Sequence, residues 1–344
     1  MPMRVVYAAR YHIDIGLHVF PTEKYRQVHD RLLASRGDDD AVPLAGVVQA
    51  FRPAVIRPSD IVEPQPATWD ELALVHTREH LEKMREGALS SEDIAQLQLP
   101  WSVEMVEGFR LMVGGTIDAA CLACGVSRSE GLHDADHRVD LRVSGVVQDF
   151  GPAQIVCHLG GGLHHAFANH GEGFCPFNDV AVAIRVLQTR GIERIAVVDL
   201  DVHHGNGTAF IFENDPGVFT FSMHQQHNYP IWKPRGSLDI GLPDGVHDAT
   251  FLAELERALP IVMAARPQCV FYLAGADPYE DDQLGGLRLT KEGLRQRDRR
   301  VISAVARAGV PLVVVLAGGY ARRVEDTVAI HVATVAEAKK ASLS

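Results

Sequence analysis

The feature that most restricts what this chain can become is a set of short, almost wholly apolar runs rich in β-branched residues. They are Gln154–His158, Ile195–Leu200, Val218–Ser222, Cys269–Ala274 and Pro311–Ala317. Runs of this length without polar alternation fit strands buried on both faces, as in a parallel sheet. Parallel neighbours need long crossovers, and helical patterns lie between the runs. Asp179–Arg190 is amphipathic and stops at Gly191, and Phe251–Ala265 repeats apolar residues at helical spacing. Thr290 caps a third segment that runs to about Ala308 and stops at Gly309. The alternation predicts an α/β fold of three layers: an open, mostly parallel sheet with helices on both faces.

The first hundred residues are less regular. Proline-rich text at 52–67 reads as a loop before a helix that starts near Asp70. The polar stretch 127–143 reads as a surface insertion, and with no internal repeat or low-complexity linker a single domain over 1–344 is expected. An apolar content of 47% suffices for a full core. The net charge of −11 disfavours a broad phosphate-binding surface, so no direct nucleic-acid partner is expected. Five scattered cysteines read as reduced thiols, and Cys121 and Cys124 as one helical face, not a metal knuckle. No run approaches the ~20 apolar residues that span a bilayer, and the first residues do not resemble a secretory signal. A cytoplasmic protein without a membrane partner is the expectation; an oligomer is possible.

The chemistry-bearing residues share a place, since each group follows a predicted strand. Gly160-Gly161-Gly162-Leu163-His164-His165 follows the first run, and Asp199-Leu200-Asp201-Val202-His203-His204-Gly205-Asn206-Gly207 the second. Gly275-Ala276-Asp277-Pro278 and Ala317-Gly318-Gly319-Tyr320 follow the last two. Open α/β sheets form their sites at the carboxyl ends of strands. Asp201 and His203, two apart, point to one side, and Asp277 arrives from another strand. One His and two carboxylates with an open position obey the three-ligands-plus-water rule for catalytic zinc. Gly205 and Gly207 let the backbone fold tightly there. Taken singly, Asp-x-His is more often a hydrogen-bonded turn, His-His a surface accident and Tyr320 a half-buried core residue. Four such loops at one edge outweigh those readings. His164 and His165 can hold different protonation states if their partners differ, with Asp199 the candidate for one ring and Asn206 for the other. Such a pair beside activated water supplies the base and acid of amide hydrolysis, and Tyr320 can donate to the oxyanion.

These motifs, in this order, resemble the histone deacetylase family of the arginase–deacetylase fold, from about Asp70 onward and weakly before it. Gly173-Phe174-Cys175 and Asp282-Gln283-Leu284-Gly285-Gly286-Leu287 resemble most the class IV branch and its bacterial relatives. The resemblance implies a zinc-dependent hydrolase that removes acetyl or longer fatty acyl groups from lysine side chains, class IV likeness favouring the longer. Asp201, His203 and Asp277 match the zinc ligands, with iron (Fe2+) able to replace Zn2+. His165 matches the general base and acid, His164 its electrostatic partner and Tyr320 the carbonyl-polarising tyrosine. Gly173, Phe174, Tyr229, Leu284 and Gly318 are expected to contact substrate, with Phe174 and Tyr229 as tunnel walls. Asp199, Asp201, His203, Ser222 and Met223 match a structural site for potassium or sodium. Asn206 stands where class I members have aspartate. His227 and Trp232 lie in a variable region and receive no role. The substrate is an acylated lysine peptide or protein, or a small acylated amine. An acetylpolyamine amidohydrolase is the rival, and Leu284, where a carboxylate would meet a second cation, counts against it. A two-manganese ureohydrolase needs ligands that the Gly-Ala-Asp-Pro loop does not supply. A non-catalytic acyl-lysine binding module is the third alternative.

Overall fold

The computed structural model describes residues 3–33, 56–128 and 154–343. Eight strands form its centre: β1 (Arg4–Val6), β2 (Ile61–Val62), β3 (Ile155–His158), β4 (Ile195–Asp199), β5 (Val218–Gln225), β6 (Leu238–Leu242), β7 (Cys269–Leu273) and β8 (Leu312–Val315). Their order is β2-β1-β3-β8-β7-β4-β5-β6, and every pairing is parallel. All residues of β3, β4, β7 and β8 are buried, as their unbroken apolar composition requires. Burial of one Val, Leu, Ile or Phe side chain contributes about 1.5–3 kcal/mol, so this centre is the main store of stability.

The strands absent from the sequence reading have weak local signals. β1 has three residues and β2 two, while β6, at the sheet edge, reads Leu-Asp-Ile-Gly-Leu and keeps four of its five residues partly or fully exposed.

Helices cover both faces. One group is Val103–Cys124 packed on Asp179–Gln188; the other gathers Lys24–Leu33, Asp248–Ala264, Lys291–Arg307 and Val324–Ala341. Their starts follow side-chain chemistry. Thr290 Oγ1 accepts from Gly293 N at 2.9 Å, and Asn178 Oδ1 from Ala181 N at 2.9 Å. The helix expected near Asp70 begins at Trp69, where Thr68 and Glu71 form a reciprocal capping box. Val103–Cys124 and Val324–Ala341 have little amphipathic signature because they are buried on most sides. Cys121 and Cys124 lie on the former, and all five cysteines are free and buried.

Most of the stretch 127–143, and residues 52–55 of the proline-rich text, lie outside the described residues. Ser127 and Arg128 are described. The Arg128 guanidinium donates to Glu71 at 2.7 and 2.8 Å and to Asp118 at 3.1 Å, and Arg190 donates to the carbonyls of both residues. The base of the stretch is therefore fastened to the domain by charge-assisted bonds. Among the described residues no helix is long and apolar enough to cross a membrane.

Candidate metal centre and active site

β3, β8, β7 and β4 are consecutive neighbours in the sheet, and all run the same way. Four loops widely separated in sequence therefore meet at one edge. Ligand atoms of Asp201, His203 and Asp277, all buried, come within 4.8 Å of one another. His203 Nδ1 lies 3.0 Å from Asp201 Oδ1 and 3.5 Å from Asp277 Oδ2. Backbone amides fix the carboxylates: Gly318 N donates to Asp201 Oδ2 at 2.9 Å and Val202 N to Asp277 Oδ1 at 2.9 Å. Asp277 Oδ2 is enclosed and has no hydrogen-bond partner among the described residues.

Two carboxylates and one imidazole share this enclosed space. Burial alone would lower His203, but Asp201 and Asp277 outweigh it and push its pKa up to about 10. Burial, and then the charge of Asp201, pushes Asp277 up to about 7. A surplus of negative charge that draws in protons, with one carboxylate oxygen left over, is the donor set a divalent cation satisfies. The residues fit such an ion.

The two histidines beside this cluster have different partners. His164 Nδ1 lies 2.7 Å from Asp199 Oδ2; burial opposes charge on this ring, yet Asp199 and Asp201 prevail and raise its pKa to about 9. His165 Nδ1 lies 2.7 Å from Asn206 Oδ1; burial, then the charges of His164 and His203, drive its pKa well below the ordinary value. The Nε2 atoms of the two rings are 3.1 Å apart. The surroundings thus push the two rings in opposite directions, His164 toward its charged form and His165 toward its neutral one.

Long-range bonds hold the loops. Asp179, first residue of its helix, accepts from Gly162 N at 3.0 Å and Leu163 N at 2.7 Å, which sets the turn that presents His164 and His165. Thr116 Oγ1 donates to Asp179 at 2.5 Å and lies 2.9 Å from His158 Nδ1, and His158 Nε2 lies 2.7 Å from Tyr11 Oη. Arg297, fully buried, donates through Nη1 to the carbonyls of Leu200 (3.3 Å) and Gly275 (2.6 Å). Those carbonyls precede Asp201 and Asp277. Asp282 accepts from Tyr320 N at 2.7 Å and from Leu284 N and Gly285 N.

The histone deacetylase domain profile matches residues 18–335. An uncharacterized protein of Picosynechococcus sp. is 38% identical over 316 residues, covering 91% of this chain and 90% of that one. The chain belongs to the histone deacetylase family. The acetoin utilization protein AcuC of Bacillus subtilis is 31% identical over 253 residues, 67% of this chain and 59% of AcuC. An HDAC homologue crystallised with SAHA shares the fold, at 22% identity and a TM-score of 0.74, covering 99% of this chain and 84% of that one. The family match starts well before Asp70, where the motif resemblance becomes strong.

The walls of this deacetylase-family site come from the loops after β3, β5, β7 and β8. Phe174, Tyr229, Leu284 and Tyr320 line an outer cleft of about 230 Å³, with Gly173, His165 and His203 at its base. Beneath it, between Tyr25, Gly162, Cys175 and Ala317, the free volume is about 30 Å³. Phe174 and Ala317 hold φ angles of +67° and +54°. Such non-glycine positions cost on the order of 1–3 kcal/mol each and persist where the surroundings over-determine them. Gly318 contributes an amide to Asp201 as well as lining the inner space. Trp232 lies outside the cleft, 58% exposed and stacked on Phe167.

Five residues near the site receive no site role from the sequence: Lys24, Glu172, Asp179, Asp282 and Arg297. Asp282 lay inside a quoted motif, and Asp179 carried the mark of an acid at a helix start. Lys24 and Arg297 carry no local signal, because each acts across the fold. Lys24 Nζ donates to Ala317 O at 2.9 Å and sits over the Tyr320 ring. Burial pulls its pKa down to about 8 against the pull of Asp277, Asp201 and Asp282.

Proposed function

We propose that the chain is a zinc-dependent amide hydrolase that removes short acyl groups, acetyl first, from lysine side chains. One observation carries the reading: an enclosed Asp201–His203–Asp277 cluster with an unsatisfied carboxylate oxygen stands beside two histidines, one held by the Asp199 carboxylate and the other by the Asn206 amide. Asp201, His203 and Asp277 hold the ion, which when bound acidifies water and polarises a carbonyl oxygen. His165, neutral with Nε2 unprotonated, takes the proton of the attacking water and later gives it to the leaving amine. His164 stays an imidazolium, held by Asp199, and balances charge as the proton moves. Burial, with Asp201 and Asp277 nearby, raises the Tyr320 phenol well above its ordinary range, so it remains a donor to the oxyanion. Phe174 and Tyr229 flank the aliphatic stem of the substrate lysine.

The inner free volume supports a short acyl group. A cavity needs ~10–15 Å³ to hold one water, so about 30 Å³ holds one or two, which favours a methyl-sized acyl tip over a fatty chain. The family likeness that favours longer chains is outweighed by this local size.

Asp199, Asp201, His203, Ser222 and Met223 are assigned to a structural potassium or sodium ion, supported by the register that sets Asp199 beside Ser222. Five free, buried cysteines suit a reducing cytoplasm. The deciding experiment measures turnover of acetyl-lysine peptides, myristoyl-lysine peptides and acetylputrescine, with and without a chelator. Chelator-sensitive turnover fastest on acetyl-lysine is expected. Fastest turnover of acetylputrescine replaces the substrate, and turnover indifferent to metal removal overturns the chemistry.

A further inference from the structure

A carboxylate that is neither a ligand nor Asp199 also reaches His165, through one intervening amide. Glu172 lies beyond Asn206. Its Oε1 accepts from Asn206 Nδ2 at 2.7 Å and from the Tyr229 hydroxyl at 3.0 Å. Its Oε2 accepts from Gln96 Nε2 at 3.2 Å and lies 3.4 Å from His170 Nε2. The side chain is 13% exposed. Burial raises its pKa, but the bonds from His170, Asn206, Tyr229 and Gln96 prevail and lower it, so it is ionised at neutral pH. The backbone around it is fixed: Gly173 N donates to Gln96 O at 3.1 Å, Phe174 N to Leu97 O at 2.9 Å, and Glu172 pairs with Cys175 in both directions. The carboxylate is therefore delivered to one place by the helix Ser91–Leu97 and its own turn.

An ionised carboxylate only accepts hydrogen bonds. An asparagine beside it must turn its NH2 group toward it, which leaves the amide oxygen facing the other way. The atom on that other side is His165 Nδ1, at 2.7 Å. A carbonyl oxygen there requires Nδ1–H, and Nε2 is then the unprotonated nitrogen. With the amide reversed, its NH2 would meet Nδ1, and the proton would have to move to Nε2, where it faces His164 Nε2 at 3.1 Å.

We infer that Glu172 is a positioning residue that locks the Asn206 amide, and through it the Nδ1–H tautomer of His165 that the base needs. This rests on the reading above in which His165 is the base. Glu172 also places a full negative charge one amide away from the ring, and polarisation along such a chain strengthens the bond His165 donates. The bond from the Tyr229 hydroxyl ties a cleft wall to the same carboxylate.

The test uses zinc-loaded full-length protein with 15N-labelled histidine, whose nitrogen shifts report the tautomer whether or not turnover occurs. The wild type should show His165 as Nδ1–H alone. Glu172→Leu removes the acceptor, and both tautomers should appear. Tyr229→Phe, which removes the same phenol bond but leaves Asn206 held, should keep the wild-type tautomer. Glu172→Gln can still accept from Asn206 and should fall between. With acetyl-lysine peptide, Glu172→Leu should lose about tenfold in kcat, part of the 10²–10⁴ that a general base supplies, with KM changed less than about threefold.

The second arm separates the tautomer from packing. Asn206→Asp puts an acceptor-only group directly on His165 Nδ1. In the wild type it sets two carboxylates against each other and should lower kcat. In the Glu172→Leu background it should raise kcat and restore the single tautomer. A single Nδ1–H tautomer in Glu172→Leu, or an equal loss from Asn206→Asp in both backgrounds, overturns the inference. If the wild type hydrolyses no acyl amide, the proposed function falls, and the nitrogen spectra still decide the role of Glu172.

Discussion

Tyr320 is held by its backbone and its ring alike: Asp282 takes its amide, and Phe20, Phe174 and Lys24 surround the ring. Tyr320→Phe removes one hydroxyl and none of this. Loss of one oxyanion donor costs about 10²–10³ in kcat. Steady-state kinetics alongside metal analysis should show that loss with zinc content unchanged; near-normal turnover with zinc bound removes Tyr320 from the mechanism. The residues legible in the sequence are those whose local spacing already implied a function. Asp201 and His203, two apart at the end of an apolar run, are of this kind, and so are His164-His165 behind three glycines. Glu172 was illegible because its meaning lies in Asn206 and Tyr229, 34 and 57 positions away. A neutral amide alone supports charge on His165 less than a carboxylate does, and Glu172 places a carboxylate behind that amide.

The loop after β8 passes so close to the ligands that no side chain fits. A Cβ on Gly318 would lie 2.0 Å from Asp277 Oδ2 and 2.5 Å from Asp201 Oδ2. The Gly318→Ala variant should therefore push the carboxylates apart and weaken metal binding by at least the 10–100-fold typical of lost outer support. Competition with a chromophoric chelator measures this, and wild-type affinity in the variant would show that the loop yields freely. The segment Gly205–Gly207 behaves as its composition suggests, since a Cβ on Gly205 would lie 2.4 Å from Asp199 Oδ2. The central strands were legible because burial on both faces leaves an unbroken apolar run. The short strands β1 and β2 and the edge strand β6 leave no such trace, and Val103–Cys124 hides its period by being buried nearly all round.

Stability of the whole molecule is tied to buried histidines that must remain neutral. His76 Nε2 accepts from Asn178 N at 3.0 Å while Nδ1 meets Phe167 O at 3.0 Å, and a second proton would break the first bond. Burial pulls His76, and likewise His158, down to about 3. A histidine with a depressed folded pKa binds its proton more readily when unfolded. Its contribution is present above the unfolded pKa near 6.5 and is lost as pH falls toward about 3. Urea midpoints taken between pH 7 and pH 4 should fall steadily, and His76→Gln should flatten the slope; a flat wild-type profile refutes this. An ion held by Asp201, His203 and Asp277 would add stability by mass action, so a chelator should lower Tm and zinc should restore it. An unchanged Tm in a protein proved metal-free would deny the site its structural share.

Arg297 gives the metal centre a fixed width. One guanidinium, sealed beneath the sheet edge and held by Asp298, grips the chain just ahead of Asp201 and just ahead of Asp277. The gap between the two carboxylates is then inherited from the folded core before any ion arrives. A socket cut to size in advance sorts cations by radius as well as by ligand taste, and a replacement with a shorter grip, Arg297→Lys, should accept larger ions such as cadmium more nearly on a par with zinc.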